Sequence, residues 1–320
     1  MSLTRVATPP DGHDALAEIG CSTAASLIAR KPVRLNDRCN GTRRVARRRT
    51  AELMIRRFLD RWRHDLRVKV ATFDATDPVG AEGARPRPPP DHIRRVNSAE
   101  KAVPSVFLHS GATDLLAIVA ALADAVESRS EGEALPFPAR PTVMELGCGV
   151  GRLLRHAPTP ALARVVATDV NVESLEWCRT NLPGVEYHHH SRLPPIASLP
   201  AMSINIIYAH SVFTHIPLEH QLAWLREMER VLRPGGWLAV TFLGREQQEA
   251  LLDAEQRASL SVDGAIQIHP EWAPDSDGPV AYGAVCQTIA HQETTVATVF
   301  APGVRRVRHG RQDVLVVRRR

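Results

Sequence analysis

From about residue 101 onward, apolar positions switch between short unbroken runs and helical spacing. Thr142–Leu146, "TVMEL", is a brief run of the kind a buried strand leaves in a sequence. "RVVAT" (164–168) predicts a second strand, followed by a helix from Val172 to about Asn181. "GVEYH" (184–188) predicts a third strand and "SINIIYA" (203–209) a fourth, with an amphipathic helix over Leu218–Leu232. "RPGG" (233–236) stops that helix, as Pro and Gly do beyond a C-terminus, and "GWLAVTFL" (236–243) predicts a fifth strand. Ahead of the first strand, Thr113–Val126 reads as a helix, and "PFPARP" (136–141) punctuates the join. Near the end, the β-rich runs "TTVATVF" (294–300) and "DVLVVRR" (313–319) have no helical pattern between them and predict an antiparallel hairpin at the sheet edge. Alternating strands and helices imply a doubly wound α/β fold, with a mostly parallel sheet of about seven strands and right-handed crossovers.

The first 92 residues follow a different plan. Residues 1–42 show no sustained periodicity, which predicts a partly disordered start. Residues 43–69 carry ten arginines, with Ile55, Phe58, Leu59, Trp62 and Leu66 at helical spacing. That is one apolar stripe on a basic helix. The Pro/Gly-rich stretch 77–92 reads as a linker. The expected organisation is therefore an extension over 1–92 and a main domain over 93–320.

Composition narrows the function classes. Of 320 residues, 44% are hydrophobic, enough for a sizeable core. Aromatics make up only 5%, which argues against a surface that stacks many bases. The net charge of +5 belongs to the N-terminal part: residues 1–140 hold 23 Lys/Arg against 17 Asp/Glu, and the remainder 17 against 18. Cys21, Cys39, Cys148, Cys178 and Cys286 are scattered without a C-x-x-C pair, as free thiols of a reducing compartment would be. The longest apolar stretch, Leu115–Val126, is interrupted by Asp124 and is short for a bilayer span. With no secretory pattern at the N-terminus, the expectation is a soluble cytoplasmic protein.

Candidate chemistry concentrates behind the first strand, in "VMELGCGVGR" (143–152). A strand, a glycine turn and a following helix place backbone N–H groups at the carboxyl edge of the sheet, where open α/β sheets bind ligands. The spacing Gly147-x-Gly149-x-Gly151 is neither the G-x-G-x-x-G of dinucleotide folds nor a phosphate-cradling loop. Asp169 ends the second strand, where a carboxylate can accept both hydroxyls of a ribose. It could instead cap the helix that follows. Loop and acid together point to a nucleoside-containing ligand without strong provision for phosphate.

"VMELGCGVGR", "VVATDV", "INIIYAHSVFTHIP" and "LREMERVLRPGGWLAVTFLG", in this order and spacing, resemble the class I S-adenosylmethionine-dependent methyltransferases over roughly residues 101–320. "SVFTHIP" and "GRQDVLVV" are similar to a bacterial subgroup acting on small molecules or glycans. The resemblance implies a Rossmann-like fold and S-adenosylmethionine as cofactor, with S-adenosylhomocysteine as product. By position it implies that Gly147, Gly149 and Gly151 admit the methionine part, and that Glu145 holds its ammonium. It further implies that Asp169 takes the ribose and that Val170 packs on the adenine. Two positions depart from the pattern: Asn205 stands where relatives often carry Asp, and "HHHSRLPP" (188–195) lacks the usual acid, leaving backbone groups near His190, Ser191 and Arg192 to replace it.

Methyl transfer is an in-line displacement that the protein serves by positioning, desolvation and deprotonation. "YAHSVFTH" (208–215) places two histidines near the tip of the fourth strand, so His215 first and His210 second are the candidate bases for a hydroxyl acceptor. His215 could also merely organise the entry to the next helix. Amino-methylating enzymes show an Asp/Asn-Pro-Pro-Tyr/Phe tetrad here, which "AHSV" is not. His188–His190 alternate faces along a strand and do not make a metal site. Cys148 reads as a packing residue, and Arg152 either as an anion partner or as a solvated helix arginine. The expected acceptor is the hydroxyl of a small molecule or glycan. A nucleic-acid substrate held by the arginine helix is an alternative, and a cofactor-binding protein without catalysis is another.

Overall fold

The computed structural model describes residues 36–83, 85–96, 99–128, 137–268, 283–300 and 304–320. The chain divides into two compact units, Met1–Gly41 and Thr42–Arg320, and the sheet with its cleft lies in the second. The loose start expected for 1–42 falls, up to residue 35, outside the described residues.

Helix α1 runs Asn36–Ala75, longer than the 43–69 predicted. The stripe Ile55, Phe58, Leu59, Trp62 and Leu66 is buried as its spacing requires. The stretch read as a linker contains α2 (Pro78–Glu82), capped by the Asp77 side chain, and the start of α3 (Pro90–Val96). It is pinned to the body reciprocally: Arg85 donates to the Arg155 carbonyl at 2.6 Å and Arg155 to the Pro86 carbonyl at 2.7 Å. Helix α4 covers Pro104–Glu127, starting nine residues before the predicted helix because Pro104 suits a first turn. By length and composition alone α4 is long and apolar enough to cross a membrane, as many core helices are. Its apolar side, including Leu115, Ile118, Val119 and Leu122, is buried in the core beside the sheet.

The remaining elements are β1 (Thr142–Leu146), β2 (Arg164–Asp169), α5 (Val172–Asn181), β3 (Val185–His189), β4 (Ile204–Ala209), α6 (Leu218–Val231) and β5 (Leu232–Leu243), then α7 (Arg245–Leu251), α8 (Ala254–Asp263), β6 (Ala265–Ile268), β7 (Ala284–Gln287), α9 (Ile289–Ala297), β8 (Arg305–His309) and β9 (Gln312–Arg318). Seven strands form one sheet in the order β3-β2-β1-β4-β5-β9-β8. Pairing is parallel from β3 through β5 and antiparallel at β9 and β8. This is the mostly parallel, seven-stranded α/β sheet that the alternation predicted. Side chains alternate across it: Val143, Tyr208, Trp237 and Val316 join α1 and α4 on one face. Met144, Ile207, Leu238 and Val317 join α6 and α9 on the other.

Three expectations change. No helix follows the glycine loop, only a single 3-10 turn at Leu154–His156. Pro158 and Pro160 lie just downstream, and a proline disfavours helix at the residue before it. The helix-end field expected there is therefore lacking. In its place α1 reaches the turn: Trp62 Nε1 donates to the His156 carbonyl at 3.4 Å, and Trp62 packs with Leu153 and Ala163 in one core cluster. Second, 294–300 is not a strand. Thr288 caps α9 by accepting from His291 N, and Gln292, Val296 and Phe300 are buried at helical spacing, so packing overrides the β-branched composition. The terminal hairpin is β8–β9 instead. Third, "RPGG" belongs to β5, whose register with β4 jumps from Ile204↔Leu232 to Ile206↔Trp237 and bulges at Gly235, where φ is +79°.

Candidate active site

The carboxyl ends of β1, β2 and β4 open onto a cleft of about 1030 Å³, mouth included. Its floor is the glycine loop, where Gly147, Gly149 and Gly151 have φ of +72°, +51° and +78°. A Cβ at Gly147 would come within 2.5 Å of Val212, so this position needs glycine for space as well as for conformation. Gly147 and Cys148 both donate N–H to the Thr168 carbonyl, which closes the loop over the end of β2.

Asp169 is buried at that end. One carboxylate oxygen accepts from Gly149 N at 2.6 Å and the other from Asn171 N at 2.8 Å. Burial raises its pKa, while the Asn171 and Gly149 N–H donors work the other way. The helix cap is not Asp169 but Asn171, whose side chain accepts from Ser174 N at 2.7 Å. Glu145, at the end of β1, is 3% exposed and accepts from the buried Tyr208 hydroxyl at 2.9 Å. Burial pushes its carboxyl up to about 8. The Cys148 and Cys178 thiols both point to the Gly149 carbonyl. The bond with Cys178, and burial, push the Cys148 thiol well above its ordinary value, so it is a poor nucleophile.

The tip of β4 holds a buried charged knot. Arg152 is 5% exposed and not the solvated arginine that was one reading of it. It donates to Asp114 at 2.6 Å, to Ser110 at 3.2 Å and to His210 Nδ1 at 3.2 Å. Because a guanidinium only donates, His210 Nδ1 is the acceptor there. His210 Nε2 lies 3.4 Å from Asp114, and His309 Nε2 lies 3.0 Å from its other oxygen. Burial raises the Asp114 carboxyl, but His210, His309 and Arg152 more than reverse that, so it is ionised. Burial lowers His210 to about 3, so it is neutral with both ring nitrogens facing protein groups. Gly111 of α4 allows the close approach: a Cβ there would lie 2.2 Å from the Arg152 carbonyl.

His215 also lines the cleft. Its Nδ1 sits 2.8 Å from the Gly283 carbonyl, which can only accept, so Nδ1 carries the proton and Nε2 the lone pair. Burial lowers its pKa, which keeps the ring neutral. Ser211, between the two histidines, has a φ of +58°. It is held there by Thr241 Oγ1, which accepts from its N–H, and by Gln312, which donates to its hydroxyl.

Of the sequence candidates, Glu145, Gly147, Gly149, Asp169, Val170, His210 and His215 line this one cleft. Gly151 does not line it but packs against Leu182 and Cys178. Ser191 is exposed, its hydroxyl turned to the Leu193 carbonyl, while His190, Arg192 and Trp224 line the cleft beside it. His188, His189 and His190 take three separate partners: the Ser198 hydroxyl, the Val170 carbonyl and the Ser191 carbonyl. Asn205 sits at the far end of the sheet, where its side chain accepts from Thr142 N at 2.9 Å. Its missing charge therefore has no part in the cleft. Asp114 and His309 were not singled out from the sequence; nothing local marks either one.

In sequence and site the chain is similar to methyltransferase domains of the class I, S-adenosylmethionine-dependent kind. Residues 144–240 match the family model described as a methyltransferase domain. The chain is 31% identical over 156 residues to the methyltransferase GfsG of Streptomyces halstedii, covering 47% of this chain and 55% of that protein. It is 30% identical over 162 residues to the biotin biosynthesis bifunctional protein BioHC of Teredinibacter turnerae, covering 48% of this chain and 28% of that one. The chain thus spans about half and about a quarter of the length of these relatives. Among solved structures it is similar to an S-adenosylmethionine-dependent methyltransferase of Methanosarcina mazei, with 14% identity, 57% of this chain and 94% of that chain covered, and a TM-score of 0.42.

Proposed function

We propose that the protein transfers the methyl group of S-adenosylmethionine to a hydroxyl of a small molecule or glycan. The observation that carries this reading is the pairing, in one cleft, of two buried carboxyl groups with a neutral histidine whose lone pair is fixed on Nε2. The donor set fits the cofactor: a carboxyl at Glu145 for an ammonium, glycine backbone for the chain that joins it to the sugar, and Asp169 for the ribose hydroxyls. Val170 offers an apolar side to the adenine. Bound there, S-adenosylmethionine supplies the electrophilic methyl group.

His215 accepts the proton of the acceptor hydroxyl at Nε2, and its Nδ1–H, anchored on Gly283, steadies the imidazolium that forms. A depressed pKa suits this role at the start, because the ring is unprotonated at neutral pH. His210, tied to Arg152 and Asp114, shapes the wall rather than taking the proton.

Calorimetric titration of the purified chain with S-adenosylmethionine and S-adenosylhomocysteine, with NAD and ATP as controls, tests the cofactor. Micromolar binding of the first pair and silence from the controls is expected. Labelled-methyl transfer screened over metabolites, glycans and RNA then tests the acceptor, and label appearing only on RNA would replace the hydroxyl reading with the nucleic-acid one.

A further inference from the structure

The segment between β5 and β8 contributes more than edge material. Strand β7, paired with β6 in a separate two-stranded sheet, runs beside the loop that carries His215; the segment Gly283–Gln287 grips that loop at two points and reaches it at a third through α6. The Gly283 carbonyl takes the His215 Nδ1–H at 2.8 Å. Val285 N donates to the Thr214 carbonyl at 2.9 Å. Gln287 Nε2 donates to Gln221 Oε1 at 3.0 Å. Gln221, on α6, passes this on: its Nε2 donates to the Phe213 carbonyl at 3.2 Å and the Ile216 carbonyl at 3.0 Å, on either side of His215. Both glutamines are 1% exposed.

We propose that Gln287 and Gln221 are positioning residues that fix the loop 213–216, and so the orientation and tautomer of His215, from the β7 side of the fold. The proposal rests on His215 being the base. The chemistry of the pair supports it. Gln221 has two carbonyls to satisfy, so its amide orientation is forced, and its oxygen then requires a donor, which Gln287 supplies. The Gln287 Oε1 has no partner among the described residues. A buried unpaired carbonyl is a cost that leucine would avoid, so the amide is kept for its donor.

The test uses the full chain with ¹⁵N-labelled histidine. The His215 ring signals are assigned by their loss in His215→Asn. In the parent chain they are expected to show one tautomer, with Nδ1 protonated. Gln287→Leu keeps the main-chain carbonyl that Gln248 and Gln292 bind, so it removes only the link to Gln221. It should give mixed tautomers at His215, while affinity for S-adenosylhomocysteine changes by less than about threefold. Gln287→Met, a milder replacement lacking the same donor, should do the same and serves if the leucine variant does not fold. Unchanged His215 signals in a folded variant would overturn the proposal. That outcome is separable from failure of the base assignment, which would show as methyl transfer surviving His215→Asn.

Discussion

The wall of the cleft that carries Glu145, Gly147, Gly149 and Asp169 comes from two neighbouring strands and the loop between them. The wall that carries His210 and His215 is held by Asp114, Arg152, Gly283, Gln287 and His309, drawn from four parts of the chain. The first is made mostly of backbone: N–H groups on Asp169, positive φ at glycines, carbonyls closing turns. The second is made of side chains whose polarity must be satisfied by partners far away in sequence. A backbone wall is cheap to specify and suits a ligand that never changes. A wall assembled from side chains can be re-dressed one residue at a time, which suits a surface that must match a particular acceptor.

The sharpest way to break the second wall is Asp114→Ala. It leaves Arg152 buried without its anion, and removing one partner of a buried pair costs about 3–5 kcal/mol. Chemical denaturation should show a loss of that size, and a loss below about 1 kcal/mol would mean that the knot is not a stabilising element. Asp169→Ala breaks the first wall instead. It should lower affinity for S-adenosylmethionine by about 100-fold or more, roughly 2.7 kcal/mol, with the fold retained by circular dichroism. Survival of binding would remove the ribose assignment.

The smallest effect sharpens the comparison by protons. In the folded chain the Glu145 carboxyl sits at about 8 against an ordinary 4.5. The folded state therefore holds a proton that the unfolded state lacks between these values, and ligand-free stability falls as pH rises through that window. An ammonium placed on Glu145 favours the carboxylate, so cofactor binding at pH 7 should release up to about one proton, fading above pH 8. Calorimetry in buffers of different ionisation enthalpy measures this, and Glu145→Gln should release none from this site.

The first wall was legible in the sequence because its information is local. Three glycines behind an apolar run and an acid ending the next run are readable at a glance. Only Gly151 and Ser191 among the proposed cofactor residues lie outside the lining, each adjacent to residues that line it. The second wall was not legible, because Asp114 and His309 acquire meaning only once α4 and the β8–β9 hairpin are brought to the tip of β4. Residues 294–300 misled for another reason: threonine and valine favour strands in isolation, yet Gln292, Val296 and Phe300 have a core to bury into at helical spacing. The missing helix after the glycine loop was signalled by Pro158 and Pro160, which count against a helix only when weighed against the short distance left before β2.

That missing helix has a consequence for how the chain is made. Helix α1 leaves the ribosome ahead of every strand it covers, and its stripe of Ile55, Phe58, Leu59, Trp62 and Leu66 clusters in the finished core with Tyr208, Trp237 and Val314. Until β4, β5 and β9 emerge, that greasy surface has α4 but not the sheet to pack against, which makes the early chain a natural client for a holding chaperone.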